Sequence, residues 1–389
     1  MPHDPSDMLH YPFDRPHALS PMPHLHLLRQ DTLPHVLMPS GHPARLAVRR
    51  ADVVQALSDS RLSRRAMLTT PGGPRFTAAD LDEPSLIGVD PPDHTRLRRL
   101  CAPAFRPSRT DGLRAPVEEH AHRLLNGQPA DLHAEFSVPL VTHTVCDLLG
   151  VPHPDRARLL AWAHQKLSLT GPPDEARAGH LALRDHFSTL APDPGLLAGL
   201  TDAHRAGRLT RRELTAVAVN LFVAGTTTTA AVLTNGLLAL LAHPAQYETL
   251  TPGGVPGAVT EILRHDVAGD MALPRLALAD LRIGSTEVRA GEVVIPAHAY
   301  ADRDPAVYAD PDTFDITRPP LPHLAFGHGP HYCVGARTAV LLLETALTAV
   351  VTRFPRLELA VPARTLEWRG GALTGGVGRL PVRYGPPGP

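Results

Sequence analysis

The most informative stretch of the chain surrounds one cysteine and reads Phe326-Gly327-His328-Gly329-Pro330-His331-Tyr332-Cys333-Val334-Gly335. An apolar segment rich in helix-forming residues, 336–344, follows at once. A cysteine just before a helix lies near free backbone N–H groups and the positive end of the helix dipole, which both favour the thiolate. The glycines allow tight turns and a close approach to something flat and large. The pattern suits a metal ligand or a nucleophile, and a buried structural cysteine is the third interpretation.

The same stretch resembles a known family signature. The pattern Phe-Gly-x-Gly-x-His-x-Cys-x-Gly is matched at every fixed position by the haem-ligand loop of the cytochromes P-450. The resemblance implies a mainly α protein with small β-sheets, the cytochrome P-450 fold and a single haem domain. It further implies that Cys333 is the axial ligand of the iron of haem b, with cofactor-binding loop positions at Phe326, Gly327 and Gly335.

A charged pair upstream fits the same resemblance. Glu261 and Arg264 are spaced i, i+3 on a predicted helix, which places both charges on one face. Taken alone, such a pair is most often a solvated surface contact. In the cytochromes P-450, however, a Glu-x-x-Arg pair and a later arginine form a buried ion network behind the haem. By resemblance this network consists here of Glu261, Arg264 and Arg318.

Four residues match the positions that hold the two haem propionates in the family. They are His94, Arg98, Arg275 and His331. Two prolines at 91–92 are predicted to start a helix, and His94 and Arg98 share one face of it because they are spaced i, i+4. Arginine suits this task because its planar fork binds a carboxylate through two hydrogen bonds.

A long apolar run, residues 214–242, predicts a central helix and resembles the oxygen-side helix of the family. Its predicted catalytic residues are Ala224, Gly225, Thr227 and Thr228. Gly225 weakens the helix locally and leaves room for dioxygen beside the iron. Thr228 takes the position of the family's threonine that helps relay protons to bound dioxygen. Thr227 stands where the family has Asp or Glu, and a hydroxyl only relays protons, whereas a carboxylate exchanges them with water.

The resemblance implies a monooxygenase that inserts one oxygen atom of O2 into an organic substrate by hydroxylation or epoxidation, in bacterial natural-product biosynthesis. Its electrons are expected to come from NAD(P)H through a ferredoxin reductase and a ferredoxin. Thr227 leaves open an oxidase that performs coupling, ring formation or desaturation. A peroxide-driven oxygenase is disfavoured because the helix lacks the arginine of that subtype. A non-catalytic haem sensor is disfavoured because no length remains for an effector domain.

Composition points to the interior of the cell. The 389 residues contain three widely spaced cysteines, which argues against a disulfide framework and for a reducing compartment. The formal net charge of −1 gives no sign of nucleic-acid binding. The N-terminus shows no signal-peptide pattern, and polar residues interrupt the run 214–242, which predicts a buried core helix rather than a membrane span. We therefore expect a cytoplasmic monomer without membrane contact.

The chain is expected to form one domain. Residues 1–40 are rich in Pro and His and predict an extended N-terminal segment of that domain. Residues 41–384 are expected to form the haem domain, and residues 385–389 a disordered tail. Segments 282–294 and 356–384 predict short strands.

The resemblance also indicates partners and a pocket. Residues 96–109 contain five arginines and no acidic residue, and we expect Arg96 and Arg99 to contact an acidic ferredoxin. The substrate pocket is expected to draw on segments with few aromatic residues, which predict a roomy cavity. We expect a medium-to-large natural-product intermediate, free or bound to a carrier protein. Besides the central helix, the pocket segments are 66–88, 165–190, 267–273 and 371–374.

Overall fold

The computed structural model describes residues 8–18, 20, 22–29, 32–77, 83–169, 171–265, 273–369 and 374–385. Helices dominate these residues and the strands are short, which confirms the predicted mainly α class with small β-sheets. The α-helices are α1 (Arg50–Ser58), α2 (Arg64–Thr69), α3 (Asp93–Cys101), α4 (Pro107–Asp111), α5 (Arg114–Asn126), α6 (Val138–Leu149), α7 (Arg156–Leu167), α8 (Pro173–Thr189), α9 (Leu196–Arg205), α10 (Arg211–Val223), α11 (Thr229–Ala242), α12 (Pro244–Thr249), α13 (Val255–His265), α14 (His298–Ala301) and α15 (Ala336–Arg353).

The longest helical stretch, Arg211–Ala242, joins α10 and α11. It begins with a capping box, in which the side chains of Thr210 and Glu213 each accept the backbone N–H of the other. One turn between the two helices, Ala224–Thr228, is a π-helix. The stretch is long and apolar enough to cross a membrane, but 72% of its most apolar window is buried inside the protein. The prediction of a buried core helix is therefore confirmed.

Helices α5, α6, α11, α13 and α15 pack together and form the main hydrophobic core. The contact between α11 and α13 depends on Gly236, where a Cβ atom would lie 2.7 Å from the Ile262 side chain. Because α11 and α13 both contact α15, the core fixes the central helix relative to the helix that follows Cys333. Buried residues that represent these helices are Val141, Phe222, Leu237, Ile262 and Leu347.

Within the described part of the chain, the strands form one larger and two small sheets. They are β1 (Leu9–His10), β2 (His35–Leu37), β3 (Pro43–Ala47), β4 (Leu62–Ser63), β5 (Arg275–Ala277), β6 (Leu281–Ile283), β7 (Thr286–Val288), β8 (Val293–Pro296), β9 (Leu357–Leu359) and β10 (Val382–Tyr384). Six strands pair in the order β1-β2-β3-β8-β5-β4, while β6 pairs with β7 and β9 with β10. The strands predicted within 282–294 and 356–384 are therefore confirmed. Arg275 pairs with Val294 of β8, so the larger sheet fixes its position.

The N-terminal segment is part of the larger sheet. β1 pairs in parallel with β2, and β2 pairs antiparallel with β3, so chain on both sides of residue 40 belongs to one sheet. Tyr11, Phe13 and Tyr300 are buried, and the Phe13 ring makes edge contacts with both tyrosine rings. At the other end, the Gly385 N–H donates to the Arg356 carbonyl (3.0 Å). The predictions of an extended N-terminal segment and a disordered tail also cover residues 1–7 and 386–389. These residues lie outside the described residues.

Candidate active site

Cys333 lies in a tight loop directly before α15. Gly327 and Gly329 have φ angles of +72° and +71°, a left-handed conformation that favours glycine. The Gly327 N–H donates to the Leu324 carbonyl (2.8 Å), and the Cys333 N–H donates to the Phe326 carbonyl (2.9 Å). These two hydrogen bonds close the loop. The position of the Cys333 backbone therefore depends on residues 324–327.

Cys333 keeps accessible surface, whereas Cys101 and Cys146 are buried. Burial raises the pKa of each buried thiol to about 12, so both are inert core residues. Surrounding protein also raises the pKa of Cys333, although the Gly335 N–H and Arg98 act in the opposite direction. The Gly335 N–H therefore acts in the direction that the sequence predicted, while desolvation acts against it and is the larger influence on the pKa. A bound metal ion would remove the proton.

Cationic and imidazole side chains from three elements converge beside the loop. His94 of α3 packs against His331 with ring centroids 4.3 Å apart, and Arg98 of α3 donates to the Tyr332 carbonyl (2.6 Å). Arg275 of β5 is buried near both histidines, and its Nε has no hydrogen-bond partner among the described residues. The structure therefore brings together all four residues that were predicted to hold the propionates.

The electrostatics of this cluster favour an added anion. Burial, and then the neighbouring His331, lowers the pKa of His94 to about 4. Burial and the adjacent Arg64 lower the pKa of Arg275 to about 10. One nearby carboxylate, Asp90, already accepts hydrogen bonds from a serine hydroxyl and two backbone N–H groups. A further carboxylate would reduce the repulsion within the cluster and stabilise its charged forms.

His298 borders the same cluster, and no sequence motif marks it. It is the first residue of α14, two positions after β8, and its Nε2 has no partner among the described residues. Its Cε1 lies 3.9 Å from the place that a Cβ atom would take on Gly327, so the ring lies against the cysteine loop. Burial, and then Arg275, lowers the pKa of His298 to about 4. The neutral ring has one N–H to donate.

The π-helical turn carries the four residues predicted for the oxygen side. Ala224, Gly225 and Thr228 keep accessible surface in the middle of an otherwise buried helix. The Thr228 hydroxyl donates to the Ala224 carbonyl (2.6 Å), which leaves its oxygen lone pairs for a group on the accessible side. Thr227 is buried instead and donates to the Val223 carbonyl (2.8 Å). Three of the four residues therefore keep accessible surface, and Thr227 does not.

The three residues of the predicted ion network meet in the structure. Glu261 and Arg264 are 3% and 2% exposed and share hydrogen bonds of 2.7 and 2.8 Å. The Arg318 Nε lies 3.4 Å from the Glu261 carboxylate. The network holds the segment 302–318 against α13, because Arg264 also donates to the backbone carbonyls of Asp302, Pro311 and Thr313.

A surface groove of about 410 Å³ lies between the cysteine loop and α15. Its apolar lining includes Phe326 and Tyr332, and its charged lining consists of Asp111, Arg114, Arg337 and Glu344. Of the two predicted partner contacts, Arg99 is exposed. Arg96 instead donates to the Glu213 carboxylate and to the Arg208 carbonyl (3.1 Å). The Arg96 guanidinium therefore connects α3 to the start of α10.

The predicted pocket segments are described in part. Residues 267–272 and 371–373 lie outside the described residues, as do residues 78–82 of the segment 66–88. The segment 165–190 contains the end of α7 and all of α8. Residue 170, between the two helices, lies outside the described residues. Because α8 packs against α10, this segment forms a wall next to the central helix.

Known proteins resemble this chain over nearly its full length. The Cytochrome P450 family model matches residues 192–251 and 255–369. Nocardicin C N-oxygenase of Nocardia uniformis subsp. tsuyamanensis is 38% identical and covers 97% of this chain and 99% of the relative. Vitamin D3 dihydroxylase of Streptomyces griseolus is 38% identical and covers 90% of each chain. The crystal structure of HinD with NMFT and NO has a TM-score of 0.91 at 39% identity, and covers 97% of this chain and 99% of that chain.

These comparisons confirm the fold and the reaction class that the sequence predicted. The relatives include an N-oxygenase, a hydroxylase/epoxidase and a monooxygenase by name, and together they do not favour the alternative of coupling, ring formation or desaturation. Haem, dioxygen and electrons from a redox partner are the requirements of this class. The chain therefore belongs to the cytochrome P450 family and is a P450 monooxygenase.

Proposed function

We propose that this monooxygenase binds haem b at the cysteine loop, with Cys333 as axial thiolate, and hydroxylates or epoxidises a natural-product intermediate. The supporting observation is the pairing of one accessible cysteine with a buried cation cluster that has unsatisfied donors. The thiol needs a cation to lose its proton, which iron provides, and the cluster needs carboxylates, which the propionates provide. Both requirements of this chain's own residues therefore fit haem.

The residues that hold the propionates come from three parts of the fold. Arg275 is the central one, because the sheet fixes its backbone and its Nε is still free for an acceptor. His298 lies next to Arg275 and offers a neutral N–H to the same group. The full proposed set is His94, Arg98, Arg275, His298 and His331.

On the oxygen side, the chain supplies room and a proton path. When bound, the thiolate-ligated haem activates dioxygen so that one oxygen atom is transferred to the substrate. Ala224 leaves space at the accessible surface of the turn because its side chain is small, whereas the missing side chain of Gly225 makes room for Val145. The Thr228 oxygen accepts a hydrogen bond from a water molecule or a substrate hydroxyl at that face, and it relays a proton by taking this one as it gives up its own. The proton enters from this face rather than through Thr227, which is buried.

Electrons from NAD(P)H reach the site through a ferredoxin reductase and a ferredoxin. The groove beside the cysteine loop is the proposed docking surface, because Phe326 and Tyr332 of that loop line it. Exposed Arg99 and Arg114 offer positive charge to an acidic partner. Replacing both arginines with Glu should slow reduction by ferredoxin at low salt and leave reduction by dithionite unchanged. An unchanged rate with ferredoxin would contradict this docking surface.

The substrate is a medium-to-large natural-product intermediate that reaches the site free or bound to a carrier protein. Two similar relatives are named for the organic compounds nocardicin C and vitamin D3. The small residues of the accessible face and the absence of bulky side chains from the π-helical turn support a roomy site. The protein acts as a monomer in the cytoplasm, where its three cysteines stay reduced.

The reduced carbon monoxide complex tests the proposed ligand. We expect the wild-type protein to show the Soret band of a thiolate-ligated haem, and Cys333→Ser to lose it. Cys146→Ser is the matched control, because it changes a buried cysteine of α6 and should keep the band. A wild-type protein without the band, or a Cys333→Ser variant that keeps it, would contradict the proposal.

Titration of the ferric protein with candidate natural products tests the substrate class. A bound substrate displaces the water ligand, which moves the Soret band to the blue. A saturable shift with a free compound identifies its class, whereas a shift with the carrier-bound form alone makes the carrier protein part of the recognition. If neither form of medium-to-large compounds shifts the band and a small compound does, the proposed size class is wrong.

A further inference from the structure

We propose that Asp302 is a positioning residue for the cysteine loop and acts through the Leu324 backbone N–H. This inference rests on the proposed role of Cys333 as axial ligand. Asp302 follows α14 directly and belongs neither to the predicted ion network nor to the loop. Asp302 contacts both the ion network and the chain before the cysteine loop, so it can transmit the position of the network to the loop.

The Asp302 carboxylate is completely buried and binds the chain just before the loop. Both of its oxygens accept the Leu324 N–H, at 2.8 and 2.9 Å. Arg50 of α1 donates to the same carboxylate at 3.1 Å, and the Tyr308 hydroxyl lies at 3.4 Å. A buried carboxylate with several donors is held firmly, because each lost contact leaves a buried polar group unsatisfied. The Leu324 N–H therefore has a fixed anchor.

Two backbone hydrogen bonds connect Leu324 to the loop that contains Cys333. The Leu324 carbonyl accepts the Gly327 N–H (2.8 Å), and the Phe326 carbonyl accepts the Cys333 N–H (2.9 Å). The Tyr308 hydroxyl also donates to the Pro322 carbonyl (2.6 Å), which fixes the chain on the other side of Leu324. A shift of Leu324 would move both carbonyls that close the loop around Cys333.

The backbone of Asp302 connects the same residue to the ion network. Its carbonyl accepts a hydrogen bond of 3.0 Å from Arg264, the partner of Glu261. The backbone carbonyl of Asp302 thus binds α13, and its carboxylate binds Leu324, which lies 22 residues further along the chain, just before the cysteine loop. The described contacts of the network do not include Cys333, and Asp302 supplies the connection.

Asp302→Asn is the direct test, because the amide keeps the size of the side chain but loses the charge and one acceptor oxygen. Asp304→Asn is the matched control. Asp304 is also buried and lies two residues away, but its carboxylate accepts the N–H groups of Arg50 (2.8 Å) and Ala306 (2.9 Å). The control therefore disturbs α1 and the same segment without removing the contact with Leu324.

In the haem-loaded protein we expect Asp302→Asn to raise the hydrogen-exchange rate of the Leu324 N–H about tenfold or more, since a hydrogen bond to a charged group is lost. We also expect a larger share of its reduced carbon monoxide complex to lack the thiolate band. Asp304→Asn should lower the stability without either change. The measurements are made at about pH 8, where the wild-type carboxylate is ionised.

If Asp302→Asn and Asp304→Asn have equal exchange rates and equal spectra, the proposal is overturned. A general loss of stability would then explain the behaviour of both variants. If Asp302→Asn does not fold, Tyr308→Phe removes only a hydroxyl and should cause a smaller change in the same direction. No change in Tyr308→Phe would then overturn the proposal. A wild-type protein without the thiolate band would instead refute the role of Cys333, and the exchange rates alone would then test the anchor at Leu324.

Discussion

Gly225 of the π-helical turn lies directly against Val145 of α6. A Cβ atom at position 225 would be 3.0 Å from one Val145 methyl carbon and 3.3 Å from the other. Close approach of the two helices, rather than an unusual backbone angle, therefore requires glycine here. The contact fixes the π-helical turn from the buried side, while the other side of the turn keeps its accessible surface.

Replacing Gly225 with Ala should destabilise the protein although alanine is the better helix former. Overpacking against Val145 costs about 1–3 kcal/mol, whereas the gain in helix propensity is about 1 kcal/mol. A double-mutant cycle with Val145→Ala, followed by urea unfolding, measures the coupling. The double variant should lose less than the sum of the single variants. Additive losses would show that the two residues do not press on each other.

Replacing Glu261 with Gln should be strongly destabilising. The variant leaves two arginines facing a neutral side chain in a buried site, and breaking a buried pair costs about 3–5 kcal/mol. Glu358→Gln is the control, because Glu358 forms an exposed pair with Arg383 and should cost at most about 1 kcal/mol. The free energy of unfolding in urea compares the two. Equally small losses would mean that the buried network is not needed for stability.

Thr228→Val should separate electron consumption from product formation. The variant keeps the shape of the side chain but cannot hold a proton at the accessible face. We expect the product formed per NAD(P)H to fall by about tenfold or more, since a positioned proton donor commonly contributes about 10²-fold or more. Thr226→Val is the control, because the Thr226 hydroxyl donates to the Phe222 carbonyl (2.7 Å) inside the core. Full coupling in Thr228→Val would place the proton path elsewhere.

Asp302 should make the stability depend on pH in a defined window. Burial raises its pKa to about 7, although the Leu324 N–H, Arg50 and Arg264 lower it. An unfolded aspartate loses its proton near pH 4, at about 3.9. Between these values the unfolded state binds fewer protons than the folded state, so the free energy of unfolding falls as the pH rises.

Asp302→Asn cannot titrate and therefore isolates this effect. The difference in the free energy of unfolding, wild type minus variant, should fall between about pH 4 and pH 7 by up to about 1.4 kcal/mol per pH unit. It should be constant above pH 7. Urea unfolding at several pH values measures it. A difference that stays constant across this window would mean that the folded state holds Asp302 as a carboxylate throughout.

Residues that belong to local patterns could be predicted from the sequence. Cys333 precedes an obvious helix among glycines, and Glu261 and Arg264 share a helix face through their spacing. Arg275 and Arg318 have no such local signal, and only the family resemblance indicated their place. The structure adds the reason for their positions, because strand pairing places Arg275 and the fold of segment 302–318 places Arg318.

Other residues could not be predicted because their partners are distant in the chain. His298 and Asp302 follow an ordinary strand, and their neighbours are known only once the sheet has formed and Leu324 has folded back. Arg96 is one of a run of arginines that looks like a free surface, yet its partner Glu213 lies 117 residues later. The desolvation of the Cys333 thiol could not be predicted for a related reason, since the helix dipole is local whereas desolvation depends on the whole fold.

The pairing of Arg96 with Glu213 also constrains how this enzyme can be recombined with its relatives. Arg96 belongs to α3, which carries His94 and Arg98, while Glu213 belongs to the capping box that starts the central helix. A chimera with a crossover between residues 101 and 208 would inherit the two partners from different parents. Crossovers before α3 or after α10 keep them together, so α3 and α10 should be exchanged between enzymes as one block.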